Sequence, residues 1–131
     1  MKITADTNVL VRALTEDDAG QSKVAQLALR NADMVAVTIP TLCEFVWVLQ
    51  RYRIRSADIA EAIRNLLNSA NIVVNRSTVE AGLAMLDAGG DFADGVIAHE
   101  GNWLGADTFV SFDKKAVKLM ETQGKSARLL A

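Results

Sequence analysis

The chain has 131 residues, half of them hydrophobic, which suits one domain, 1–131, with its own buried core and is short for two. Aromatics make up 5% and cysteine occurs once, at Cys43; this disfavours an aromatic-rich β-sandwich, excludes an internal disulfide or a cysteine zinc site, and makes a reducing cytoplasm the expected location. A net charge of −2 argues against gripping nucleic acid by bulk electrostatics, but leaves room for an acidic enzyme whose carboxylates gather cations around a phosphodiester.

Short apolar strands alternate with helical patterns along the chain. Lys2 to Ala5 reads as a strand and Val9 to Leu14 as a helix; Asp6 and Arg12 interrupt this apolar run, so no signal peptide is expected. Asp17 to Arg30 carries Val24, Ala25, Leu27 and Ala28 at helical spacing. Met34 to Ile39 reads as a second strand, and Pro40 then sits in the first turn of a helix to about Tyr52. Leu42 to Leu49 is the longest apolar stretch, but Glu44 breaks it and it is too short to span a bilayer. Ser56 to Asn68 puts Ile59, Ala60, Ile63, Leu66 and Leu67 on one face. A third strand, Ile72 to Val74, precedes Ser77-Thr78-Val79-Glu80, which has the capping-box form and opens a helix to about Leu86. After Gly89-Gly90, Asp91 to Trp103 reads as helix, Thr108 to Ser111 as strand, Asp113 to Gln123 as helix and Arg128 to Leu130 as an edge strand. This alternation predicts an α/β fold, a mainly parallel sheet of four to five strands with helices on both faces.

Four acids stand apart from the rest. Asp6 directly follows the first strand, where ligand sites of open α/β sheets lie, although an Asp there equally caps a helix. Glu44 lies in a helix that reads as apolar almost all round and therefore buried; a carboxylate there needs a cation, hydrogen bonds or a proton. An internal salt bridge to a nearby arginine is the plain alternative. Asp94 shares a stripe with Ile97, Ala98 and Gly101, the expected inward face, and Asp91 is one turn earlier, with no Lys or Arg between them. Asp91 is expected simply to cap its helix. Asp113 begins a helix after the fourth strand and on its own reads as a cap, but it is the second strand-end acid after Asp6. Four carboxylates at one sheet edge would repel one another, and oxygen-only ligation suits Mg²⁺ or Mn²⁺ better than zinc.

These residues occur in segments that resemble a known family. Ile3-Thr4-Ala5-Asp6-Thr7-Asn8-Val9-Leu10-Val11-Arg12 is similar to the opening motif of PIN domains. Thr41-Leu42-Cys43-Glu44-Phe45-Val46-Trp47-Val48-Leu49 resembles their second acidic motif, and Gly90-Asp91-Phe92-Ala93-Asp94-Gly95-Val96-Ile97-Ala98 their third. Ser111-Phe112-Asp113-Lys114-Lys115-Ala116 resembles the fourth, with Ser111 for the common Thr and Lys115 where some relatives carry a further acid, which leaves one metal ion or two open. The length resembles that of VapC-type toxins. The resemblance implies a PIN-like three-layer sandwich, a homodimer, an antitoxin encoded alongside that blocks the site, and RNA as substrate, frequently structured RNA such as tRNA.

The chemistry expected is metal-dependent hydrolysis of RNA. Asp6 and Asp94 are the expected direct ligands, with Glu44 and Asp113 binding directly or through water. Thr7, Asn8, Ser111 and Asp91 would support those carboxylates, and such a mechanism needs no histidine base, so His99 is expected to be a surface or packing residue. Arg51, Arg53 and Arg55 form a basic cluster that either solvates a helix end or binds phosphates. Val46, Trp47 and Leu49, with the Ile59, Ile63 and Leu66 stripe, offer apolar surface for a dimer face. Two rivals stand beside this reading. A receiver-like phosphate-handling domain would need an Asp where Asn75 follows the third strand, and an inactive PIN-like module binding RNA or protein would have no need of acids at all four motifs.

Overall fold

The computed structural model describes residues 1–130, and the chain falls into two compact units that meet between Arg76 and Ser77. In the first unit, β1 (Lys2–Thr4), β2 (Met34–Ala36) and β3 (Ile72–Val73) form a parallel sheet in the order β1-β2-β3. Ile3 stands opposite Val35, and Val35 opposite Ile72. Four helices connect these strands: α1 (Thr7–Thr15), α2 (Ala19–Asn31), α3 (Ile39–Arg51) and α4 (Ser56–Leu67). Parallel strands need such crossovers, because a hairpin cannot reverse the chain twice in a few residues.

Each start is written locally. The Asp18 carboxylate accepts from the Gln21 N–H at 3.1 Å to open α2, and the Thr38 hydroxyl accepts from the Thr41 N–H at 3.4 Å to open α3. Pro40 lies in the first turn of α3, where its missing N–H costs nothing. The core of this unit is Leu10, Val35, Leu42, Phe45, Ile59 and Ile63, all fully buried. Val46, Leu49, Ile59 and Ile63 are thus covered within the monomer, and of the expected dimer face only Trp47 is a large open surface.

In the second unit, α5 (Arg76–Asp87) and α6 (Phe92–Trp103) precede β4 (Phe109–Ser111), α7 (Lys114–Thr122) and β5 (Ala127–Leu129). β4 and β5 pair in parallel, Val110 opposite Arg128, and Met85, Ala116 and Met120 form a core cluster with Phe109 and Leu119 against it. α5 starts at Arg76, so Ser77 lies inside its first turn and not ahead of the helix as the capping-box reading had it. Gly82 and Gly95 set the approach of α5 and α6. A Cβ on Gly95 would fall on the Ala81 carbonyl oxygen, and one on Gly82 would meet the Phe92 ring at 2.6 Å. The strands are therefore parallel and alternate with helices as expected, in hydrogen-bonded groups of three and two. Among the described residues, no helix is long and apolar enough to cross a membrane.

Candidate metal centre and its acids

In the first unit Asp6 immediately follows β1. Its Oδ1 accepts from the Thr7 N–H at 2.8 Å, and its φ and ψ of −77° and 159° are those of an extended residue ahead of a helix. Asp6 is therefore the N-cap of α1, yet its side chain stays exposed, as does Asn8, while Thr7 is buried beneath them. Capping occupies one carboxylate oxygen and leaves further lone pairs.

Glu44 overturns the expected burial. It is exposed, and among the described residues it has no ion pair, so the internal salt bridge also fails. α3 buries one stripe only, Leu42, Phe45, Val46 and Leu49. The segment reads as apolar all round because Trp47 adds hydrophobicity on the side away from that stripe, whereas Trp47 is 58% exposed and lies on the open side with Glu44. An exposed carboxylate keeps its hydration and does not require a compensating partner.

In the second unit Asp91 caps α6, accepting from the Ala93 N–H at 3.1 Å, as expected. Asp113 caps α7, its Oδ1 accepting from the N–H groups of Lys115 at 2.9 Å and Ala116 at 3.2 Å. The Ser111 hydroxyl accepts from the Asp113 N–H at 3.0 Å. Ser111 thus fixes the backbone of Asp113, where direct support of a carboxylate had been expected.

Asp94 is half-buried in the first turn of α6. The inward face of that helix is Phe92, Gly95 and Val96, while Ile97 is exposed and Ala98 and Gly101 are only partly covered; the expected inward stripe was wrong. Gly95 decides this, since its missing side chain lets α6 press against α5 on that side. Burial pushes the Asp94 carboxyl above its ordinary value of 3.8, and the charges of Asp91 and then Asp113 push it further. All three causes penalise the anion, and a bound cation would relieve each of them.

The second unit therefore holds three carboxylates near enough to perturb one of them, and oxygen-only donors of this kind fit a hard divalent cation. Among the described residues, no group of three or more His, Cys, Asp or Glu side chains is arranged as a ready-made metal cage. Mg²⁺ asks for less, being commonly held by one or two carboxylates with water completing its shell.

A cavity of about 850 Å³ lies elsewhere in the second unit. His99, Trp103, Asp107, Thr108, Lys125 and Ser126 line it, at the C-terminal end of α6 and ahead of β4 and β5, while Asp94 and Asp113 belong to the opposite ends of those elements. The His99 Nε2 is shielded and has no hydrogen-bond partner among the described residues.

The basic cluster is partly engaged. Arg55 binds Asp58 at 3.0 Å, and this hydrogen bond and charge hold its guanidinium above its ordinary pKa. Arg51 lies 4.7 Å over the Trp47 ring. Trp47, expected on a dimer face, is exposed; its spacing from Glu44 and Arg51, three and four residues, puts all three on one helical face.

The family model described as PIN domain matches residues 3–120, which reach across both units. No curated protein gives a significant match.

Proposed function

The chain belongs to the PIN-domain family, whose members are generally nucleases, and on that basis we propose that it is a metal-dependent ribonuclease whose metal chemistry is carried by Asp6, Glu44, Asp94 and Asp113. The observation that carries this reading is Asp94: a half-buried carboxylate whose anion is opposed by burial, by Asp91 and by Asp113, with no Lys or Arg paired to it among the described residues. A fold keeps such an arrangement when a ligand offsets it. Mg²⁺ or Mn²⁺, when bound, supplies an activated water and neutralises charge on the scissile phosphate.

The residues divide that work. Asp94 and Asp113 would hold the cation with Asp91 at the margin, and Ser111 fixes Asp113 by its backbone N–H. Asp6 and Glu44 are the first unit's acids in this reading, and Thr7 and Asn8 shape the turn that presents Asp6. We further propose a VapC-type toxin acting on RNA in the cytoplasm as a homodimer, restrained by a small cognate antitoxin; the resemblance of the four acidic motifs supports this reading.

Single-turnover cleavage of RNA by Asp6→Asn, Glu44→Gln, Asp94→Asn and Asp113→Asn tests the assignment. Each should lose orders of magnitude, and the Glu44→Gln/Asp94→Asn double variant should lose little more than either single change, because groups acting on one step are not additive. Full additivity, or any of the four cleaving like wild type, would remove that residue from the centre. His99→Ala should stay within a few-fold of wild type.

A further inference from the structure

The open side of α3 carries a pattern that a stabilising helix surface does not require. Pro40, Glu44, Trp47 and Arg51 follow one another at intervals of four, three and four residues, so they form a single stripe, and all four are exposed. Trp47 presents most of its ring to water, and the Arg51 guanidinium lies over it at 4.7 Å. A ring has two faces, and Arg51 takes one. Tyr52, the next residue, is also exposed.

The cap of this helix is unusual in the same place. Arg53 donates its N–H to the Gln50 carbonyl at 2.9 Å, and Ile54 donates to the Leu49 carbonyl at 3.1 Å, the pattern of a Schellman cap. Arg53 consequently has φ of +61°, the left-handed region. α5, α6 and α7 each place glycine at the equivalent point, with φ of +92°, +107° and +78° at Gly89, Gly105 and Gly124. Glycine would serve α3 as well, so backbone geometry gives no reason for arginine. With Arg55 tied to Asp58, Arg51 and Arg53 are the cations of this cluster without an acidic partner among the described residues.

We propose that Trp47, Arg51 and Arg53 form a docking track for single-stranded RNA that leads along α3 to Glu44. A base stacks on the open face of Trp47, and the two guanidiniums meet the phosphates beside it. Exposed aromatics flanked by arginines hold single strands in this way, because every unpaired base has a π-face to stack and every nucleotide a phosphate to pair. The dimensions agree: Glu44 and Arg51 are separated by about 10 Å of helix, roughly three stacked bases at about 3.4 Å each. A duplex cannot use the track, since its bases are already stacked on each other. Charge complementarity favours RNA over a protein occupant: the patch is cationic in a chain whose net charge is −2.

This inference rests on the ribonuclease reading, and the test separates the two. Fluorescence anisotropy of a short labelled single-stranded RNA of mixed sequence is measured in chelator with wild type, Trp47→Ala, Trp47→Phe and Arg53→Gly, and the mass of each protein is measured by light scattering. Trp47→Ala should weaken binding about tenfold or more, while Trp47→Phe keeps a stacking ring and stays within a few-fold. Arg53→Gly should weaken binding and reduce its salt dependence by about one phosphate contact, with a melting temperature equal to or above wild type. The same RNA annealed to its complement should bind more weakly and be indifferent to Trp47→Ala. Trp47→Ala binding single strands like wild type overturns the track, as does a changed mass with unchanged RNA affinity, which would assign the patch to a second copy. A wild type that neither binds nor cleaves RNA overturns the ribonuclease reading and the track together, whereas cleavage that survives every track substitution overturns the track alone.

Discussion

Asp113 distinguishes a helix cap from a metal ligand because the two roles respond differently to one change. Its Oδ1 holds two N–H groups of α7, a helix of only nine residues. Asp113→Ala removes both hydrogen bonds, about 1 kcal/mol for a cap, and the carboxylate's attraction to the helix N-terminus, a further ~0.3–1 kcal/mol. For a chain of this size that total corresponds to roughly 4–8 °C in melting temperature. Asp113→Asn keeps an acceptor for the same N–H groups, loses the dipole attraction and also loses repulsion with Asp94, so its melting temperature should lie within about 2 °C of wild type. Neither change empties the folded state: a domain stable by about 5 kcal/mol or more that loses 2 remains roughly 99% folded. Cleavage at 25 °C therefore reports chemistry. Both variants should cleave RNA about 10²-fold or more slowly than wild type, although only one is destabilised. Calorimetry and single-turnover cleavage on the same preparations decide it. Asp113→Asn cleaving at the wild-type rate would make Asp113 a cap and nothing more.

Because the folded Asp94 carboxyl sits above 3.8, the contribution of Asp94 to the stability of the metal-free protein is fully present below that value and is lost as pH rises through the folded pKa. Melting curves against pH in chelator should show this decline for wild type and not for Asp94→Asn. Added Mg²⁺ should restore stability to wild type, by about 1.4 kcal/mol at ten times its dissociation constant, and much less to Asp94→Asn. On α6, two identical substitutions should have opposite signs. Gly101→Ala meets nothing within 4 Å and should gain up to about 1 kcal/mol of helix propensity. Gly95→Ala drives its methyl into the α5 backbone and the Met85 side chain, so the roughly 1–3 kcal/mol of overpacking should exceed that gain; a higher melting temperature for Gly95→Ala would show that α5 and α6 separate easily.

Much of this was legible in the residues. Alternating strands and helices gave every element to within a few positions, because the apolar periods and the Asp, Thr and Pro at helix starts are local signals. Asp91 and Asp113 are caps, as their sequence neighbourhoods suggested. What failed was facing. A helix rich in Val, Leu and Trp reads as buried on all sides, but burial follows the partner surface, and α3 buries one stripe, with Glu44 on the other side. In α6 the buried face follows Gly95, and a missing side chain has no hydrophobicity for a periodic pattern to register. The Arg53 cap was illegible for a related reason: no glycine marks it, and only φ reveals it.

The most direct test of the ribonuclease claim is cleavage of an end-labelled RNA followed under single-turnover conditions across a titration of Mg²⁺, for wild type and Asp94→Asn, with a chelator control. Wild type should be inactive in chelator and rise to a plateau with Mg²⁺, while Asp94→Asn should need more Mg²⁺ and reach a plateau lower by about 10²-fold or more. Cleavage that persists in chelator, or an Asp94→Asn titration that superimposes on wild type, would contradict the carboxylate–metal account.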